Sequence, residues 1–120
     1  MNKNRKKKIL NYNDLIVEYM LEKKAQDITI IDFTDNNNFL FSFFIICHGT
    51  SSPQIEAITD NIQKQLRKNN KLRPLFVEGL NNKEWVLMDY GDVIVHIFLE
   101  DVRIFYNLEE LWGDMPSIKK

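Results

Sequence analysis

Residues 39–48 read Phe-Leu-Phe-Ser-Phe-Phe-Ile-Ile-Cys-His, an almost unbroken apolar run of aromatic and β-branched side chains. The run is far shorter than the roughly 20 residues that cross a bilayer as a helix. It also lacks the alternation of a strand with one wet face, so it predicts a strand covered on both sides in the middle of a sheet. The remaining chain has to supply those covers. With 120 residues, 44% of them hydrophobic and 28% charged, it has the material for one globular core and not for two. The lone Cys47 leaves no intrachain disulfide to assist.

Ile28 to Phe33 is a second β-branched run, joined to the first through Asp35, Asn36, Asn37 and Asn38, and the pair reads as a hairpin. Leu15, Ile16, Tyr19 and Met20 recur at helical spacing, with Asn13 as the expected cap. Ser51, Pro53 and Gln54 form a helix start with capping-box spacing, followed by the stripe Ile55, Ile58, Ile62, Leu66. Leu75–Glu78, Trp85–Asp89 and Val93–Leu99 are three further strands, the last two turning at Gly91. Phe105, Leu108, Leu111 and Trp112 return to helical spacing and predict a closing helix packed inward. The expected fold is α/β (α+β), a mixed sheet of five strands flanked by helices. Residues 1–24 are a basic leader and first helix of the same unit, and 25–120 are the domain proper.

Charge is unevenly spread. Residues 1–24 carry seven Lys/Arg against three acids, whereas Glu78–Asp114 carries nine acids against Lys83 and Arg103. That acidic stretch repels phosphate backbones and suits a basic protein partner. The basic start is followed only by Ile9 and Leu10 before Asn11 interrupts, which is too little apolar chain for a signal peptide. A cytoplasmic chain with no membrane span is the expectation.

Few residues carry chemistry. Asp89 and Asp92, close to His96, could hold a divalent metal, and the enzyme alternative is a metal-dependent nucleotidyltransferase using those two aspartates. Asp beside Gly is also ordinary turn chemistry. Cys47 and His48 are adjacent, but neighbouring strand residues point to opposite faces, so a nucleophile–base pair is not expected. His48-Gly49-Thr50-Ser51-Ser52 lacks the glycines and lysine of a phosphate loop and reads better as a helix cap. Trp85 and Tyr90 lie in the most acidic part of the chain, and such side chains are enriched in binding hot spots.

Several blocks together carry a resemblance: Gly49-Thr50-Ser51-Ser52-Pro53-Gln54-Ile55-Glu56-Ala57-Ile58, Val77-Glu78-Gly79, the segment Trp85 to Phe98, then Arg103, Phe105-Tyr106, Leu108-Glu109 and Leu111-Trp112-Gly113-Asp114. From about Lys24 to Asp114 the chain resembles the ribosomal silencing factor, or Iojap, family. The resemblance implies a nucleotidyltransferase-like fold without catalytic residues, metal or cofactor. It implies a translation regulator that binds the large ribosomal subunit through large-subunit ribosomal protein fourteen and keeps the small subunit from joining when nutrients are short. Carried onto this chain, the partner-binding positions are Trp85, Leu87, Asp89, Tyr90 and Asp92, with Glu84 beside them. Arg103, Tyr106 and Trp112 are read as packing the closing segment onto the sheet. A minor contact of the basic leader with ribosomal RNA, and a homodimer of the free protein, are compatible with the same reading.

Overall fold

The apolar run becomes a central strand, but it enters the sheet later than its hydrophobicity suggests. In a computed structural model describing residues 3–120, the elements are α1 (Lys3–Glu22), β1 (Gln26–Asp32), β2 (Phe43–Gly49), α2 (Ser52–Asn70), β3 (Phe76–Glu78), β4 (Trp85–Asp89), β5 (Val93–Leu99), α3 (Glu100–Tyr106), α4 (Leu108–Leu111) and β6 (Ser117–Lys119). All of β2 is buried. Ahead of it, the amides of Ser42 and Phe43 both donate to the Asp92 carbonyl, at 2.7 and 3.0 Å, which fixes the point where the chain joins the ladder. Phe39 and Phe41 stay outside the strand and fold over one face, each ring 5.0 Å from that of Phe33.

The sheet has six strands in the order β3-β4-β5-β2-β1-β6. β2 pairs parallel with β5 and antiparallel with β1, and every other neighbouring pair is antiparallel. The expected count of five misses β6, which pairs Thr29, Ile30 and Ile31 of β1 with Lys119, Ile118 and Ser117. Its three residues are exposed, so it rests on backbone pairing and carries no hydrophobic pattern that could be read in advance. β1 begins two residues before the expected run, with Gln26 opposite His48 and a bulge before Thr29 that holds Asp27 at φ 49°.

Side chains alternate across β2 and β5, and the two faces build separate cores. Ile45, Cys47, Val95 and Ile97 meet the α2 stripe Ile55, Ile58, Ile62 and Leu66, together with Ile16 and Met20 of α1. Phe44, Ile46, Ile94 and Phe98 lie on the other face with Ile31 and Phe33, under Val102, Leu108 and Trp112. The parallel neighbours β2 and β5 therefore send their following helices to opposite sides of the sheet.

Two local readings are corrected. Asn13 is no cap: α1 starts at Lys3, so Lys3 to Lys8 are helical and exposed, and Asn13 is buried mid-helix with neither side-chain polar atom bonded. The reason is that the seam reaches back to Ile9, one turn ahead of Asn13, and the whole segment is held by packing on it. At α2 the Ser51 hydroxyl accepts from the Gln54 amide at 3.3 Å, as expected. Gln54 does not complete the box on Ser51. Its Oε1 accepts from the Thr50 amide at 2.8 Å, and its Nε2 donates to the carbonyls of Lys23 and Lys24, stitching the end of α1 to the start of α2.

Because Ile45 is fully buried between both helices and its strand neighbours, Ile45→Ala should lower unfolding stability by about 3 kcal/mol. A urea titration measures this, with the midpoint falling at unchanged slope.

Candidate functional site

The β4–β5 hairpin sets one side of the candidate surface. Register pairs Trp85 with Phe98, Leu87 with His96 and Asp89 with Ile94. Val86 and Met88 point into the α1/α2 core and are fully buried, while Trp85, Leu87 and Asp89 project to the other face and are only half-buried. β3 extends this face, since Phe76 lies opposite Asp89 and Glu78 opposite Leu87. α3 packs mainly over β5 and β2, and at its last residue, Tyr106, it reaches Trp85 of β4.

Trp85 is held from three sides. Its ring stacks on Phe98 at 4.9 Å, meets Tyr106 at 4.8 Å, and its Nε1 donates to Nδ1 of His96 at 3.1 Å. Accepting at Nδ1 places the His96 proton on Nε2, which is buried without a partner. Burial pushes the His96 pKa down to about 4, so the ring stays neutral and keeps its acceptor for the indole.

The six predicted partner residues do not form one patch. Trp85, Leu87 and Asp89 share a face. Tyr90 packs against the opposite core, its hydroxyl buried and unbonded, and burial pushes the phenol pKa up. Asp92 sits at the turn with its carboxylate 2.8 Å from Arg5, an ion pair exposed enough to contribute little. Glu84 is exposed just ahead of β4. Asp89 accepts from the Gly91 amide at 2.7 Å, closing a turn in which Gly91 has φ 86°. Both carboxylates of the nucleotidyltransferase alternative are thus engaged in local contacts. Among the described residues no group of three or more His, Cys, Asp or Glu is placed to hold a metal ion.

Cys47 and His48 do face opposite sides. Cys47 is fully buried and burial pushes its thiol up to about 12, which leaves it inert. His48 faces Arg103, which joins α3 and α4 to the sheet: Nη1 lies 3.0 Å from His48 Nδ1 and 3.4 Å from the Gln26 carbonyl, Nη2 donates to Thr29, and Nε donates to Glu109 at 2.9 Å. Nη2 donates to the same carboxylate oxygen, Oε1, so the guanidinium holds one oxygen of Glu109 from two nitrogens. The guanidinium donates to Nδ1, so His48 carries its proton on Nε2, 3.1 Å from Glu100 but off the line of a hydrogen bond. These groups line a cleft of about 570 Å³ with Asp27, Ile104 and Lys119.

The closing segment departs from the inward packing expected of it. Trp112 does pack, 5.4 Å from Phe33. Phe105 and Leu111 do not; they are exposed, with Ile104 beside them, while Tyr106 is half-exposed with its ring against Trp85 of the sheet. One signal was available in the sequence: Ile104, Phe105 and Tyr106 are consecutive, and three successive helical residues span too wide an arc to share one buried stripe. Phe76 was missed as a surface residue for a different reason, since its face depends on the β3–β4 register.

A family model described as ribosomal silencing factor during starvation matches residues 6–120. The chain belongs to the ribosomal silencing factor family. It is 42% identical over 95 residues to the ribosomal silencing factor RsfS of Bacillus subtilis, covering 79% of each chain. It is 35% identical to the chloroplastic protein Iojap of Arabidopsis thaliana, covering 80% of this chain and 39% of that one. A crystal structure from Chromobacterium violaceum superposes with a TM-score of 0.81 at 35% identity, covering 88% of this chain and 86% of that one. A second, from Bacillus halodurans, gives 0.74 at 33%, covering 93% and 97%. The family's mixed α/β fold is therefore the fold of this chain, with six strands. In this member of the silencing factor family no helix among the described residues is long and apolar enough to cross a membrane.

His96 makes stability pH-dependent. An unfolded chain takes up this proton near pH 6.5, whereas folded His96 resists it until about 4. The stability it contributes is complete above 6.5, declines as pH falls, and is lost below about 4. Between pH 7 and pH 4 the wild-type chain should lose about 3 kcal/mol more than His96→Asn, which lacks the titrating ring. Urea midpoints at the two pH values read the difference, and equal losses would contradict the assignment.

Proposed function

We propose that this chain is a non-enzymatic translation regulator that binds the large ribosomal subunit through large-subunit ribosomal protein fourteen. Its bulk then keeps the small subunit from joining, which represses translation under nutrient limitation in the cytoplasm. Family membership supports the ribosomal setting. The observation that carries docking is the open sheet face with Trp85 at its centre. A large aromatic ring, fixed by Phe98, Tyr106 and His96 yet half-exposed, offers apolar contact area with little rotamer entropy left to lose.

Electrostatics supports the same partner class. Glu78 and Asp89 share that face, Glu84 stands beside it, and nine acids against two cations from Glu78 to Asp114 steer a basic protein toward it. The opposite charge sits on α1, where Lys3, Arg5, Lys6, Lys7 and Lys8 occupy the first turns of a helix, a position that the helix dipole disfavours. This end of α1 is suited to a secondary contact with ribosomal RNA phosphates while the acidic face meets protein.

Trp85→Ala should weaken binding to isolated large subunits by at least about 2 kcal/mol in a protein that still folds. Co-sedimentation over a range of subunit concentrations measures the change, with circular dichroism confirming the fold. Unchanged affinity would remove Trp85 from the interface.

A further inference from the structure

The most exposed aromatic side chain of the molecule lies on α3, beside the predicted face and outside it. Phe105 is 81% exposed, Ile104 70%, Tyr106 51%, and Leu111 of α4 66%. None of the four belongs to either buried core. Their exposure follows from which residues turn inward: Val102 packs on the second core and Arg103 is spent on Glu109, Thr29, His48 and the Gln26 carbonyl, so the next residues must point outward. The ridge is continuous with the hairpin, because the Tyr106 ring lies 4.8 Å from Trp85 and 5.1 Å from Phe105.

Along the chain from Glu84 to Pro116 the exposed charges have one sign, and Lys119 and Lys120 border the ridge at Ile104, across the cleft. Glu84, Glu100, Asp101, Glu110 and Asp114 are exposed. From Glu84 to Pro116 the single cation is Arg103, which is buried and paired with Glu109. An apolar strip with an anionic border repels a symmetric copy of itself and repels nucleic acid. It complements a basic protein surface with an apolar depression at its centre.

We infer that the α3–α4 ridge is a second half of the docking surface, with Phe105 inserted as an anchor into the basic protein partner on which the Trp85 face also rests. The inference deepens the proposed function and takes its partner from that reading. Arg103 acts here as a positioning residue, since its bonds to β1, β2 and α4 hold a seven-residue helix in one orientation before the partner arrives.

The test is co-sedimentation of the full chain with isolated large subunits, comparing wild type with Phe105→Asp, Asp101→Lys and, on the far helix α1, Leu21→Asp. Phe105 and Leu21 are both exposed, so both variants should melt within a few degrees of wild type. Phe105→Asp should bind roughly thirty-fold more weakly, Asp101→Lys several-fold more weakly, and Leu21→Asp as wild type. Binding of Phe105→Asp equal to that of wild type overturns the ridge and leaves the ribosomal reading intact. No binding by wild type overturns the ribosomal reading and this inference with it. A wild-type dimer that Phe105→Asp converts to monomer, seen by analytical ultracentrifugation, assigns the ridge to self-association and also overturns the inference.

Discussion

Everything in this fold is arranged around the burial of β2 on both faces. A strand with no wet side needs a hydrogen-bonded neighbour along each edge and an apolar layer above and below. β1 and β5 supply the edges, and α1 with α2 supply one layer. The other layer is assembled from short pieces: α3, α4 and the Phe39–Phe41 segment. Short pieces cover less than long helices do, and the uncovered remainder is the face that carries Trp85, Leu87 and Asp89.

That incomplete layer explains why buried polar groups gather on this side. α3 and α4 are too short to be held by an apolar stripe alone, and the guanidinium of Arg103 ties them to β1 and β2 through Thr29, Gln26 and His48. Trp85 is secured in a similar way, through its bond to a neutral His96. Both arrangements place a donor against an imidazole nitrogen, and at Trp85 the geometry depends on the buried His96 staying neutral. The exposed face is thus fixed from beneath, which would limit the ordering cost of the proposed docking.

Much of this was legible in the sequence, because the strongest patterns belong to the longest elements. The bounds of β4 and β5 match the expected ones residue for residue, and α2 follows its capping signal and stripe. β6 and the true start of β2 are decided by backbone pairing, which leaves no periodic trace in the chain. Three consecutive large residues, Ile104 to Tyr106, already exclude burying them all, but that Phe105 is the one turned out follows from the inward bonds of Arg103. Of the candidate site, Trp85, Leu87 and Asp89 could be placed together by alternation alone. Separating Tyr90 from them required the turn, in which Asp89 and Gly91 carry the chain to the opposite core.

Under the proposed function the chain acts by occupying a surface that the small subunit needs. The most direct measurement adds small subunits to large subunits pre-incubated with a stoichiometric amount of the chain and separates the products on a sucrose gradient. Large subunits carrying the chain should stay free while untreated ones join. Complete ribosomes that form with the chain still bound would contradict steric exclusion.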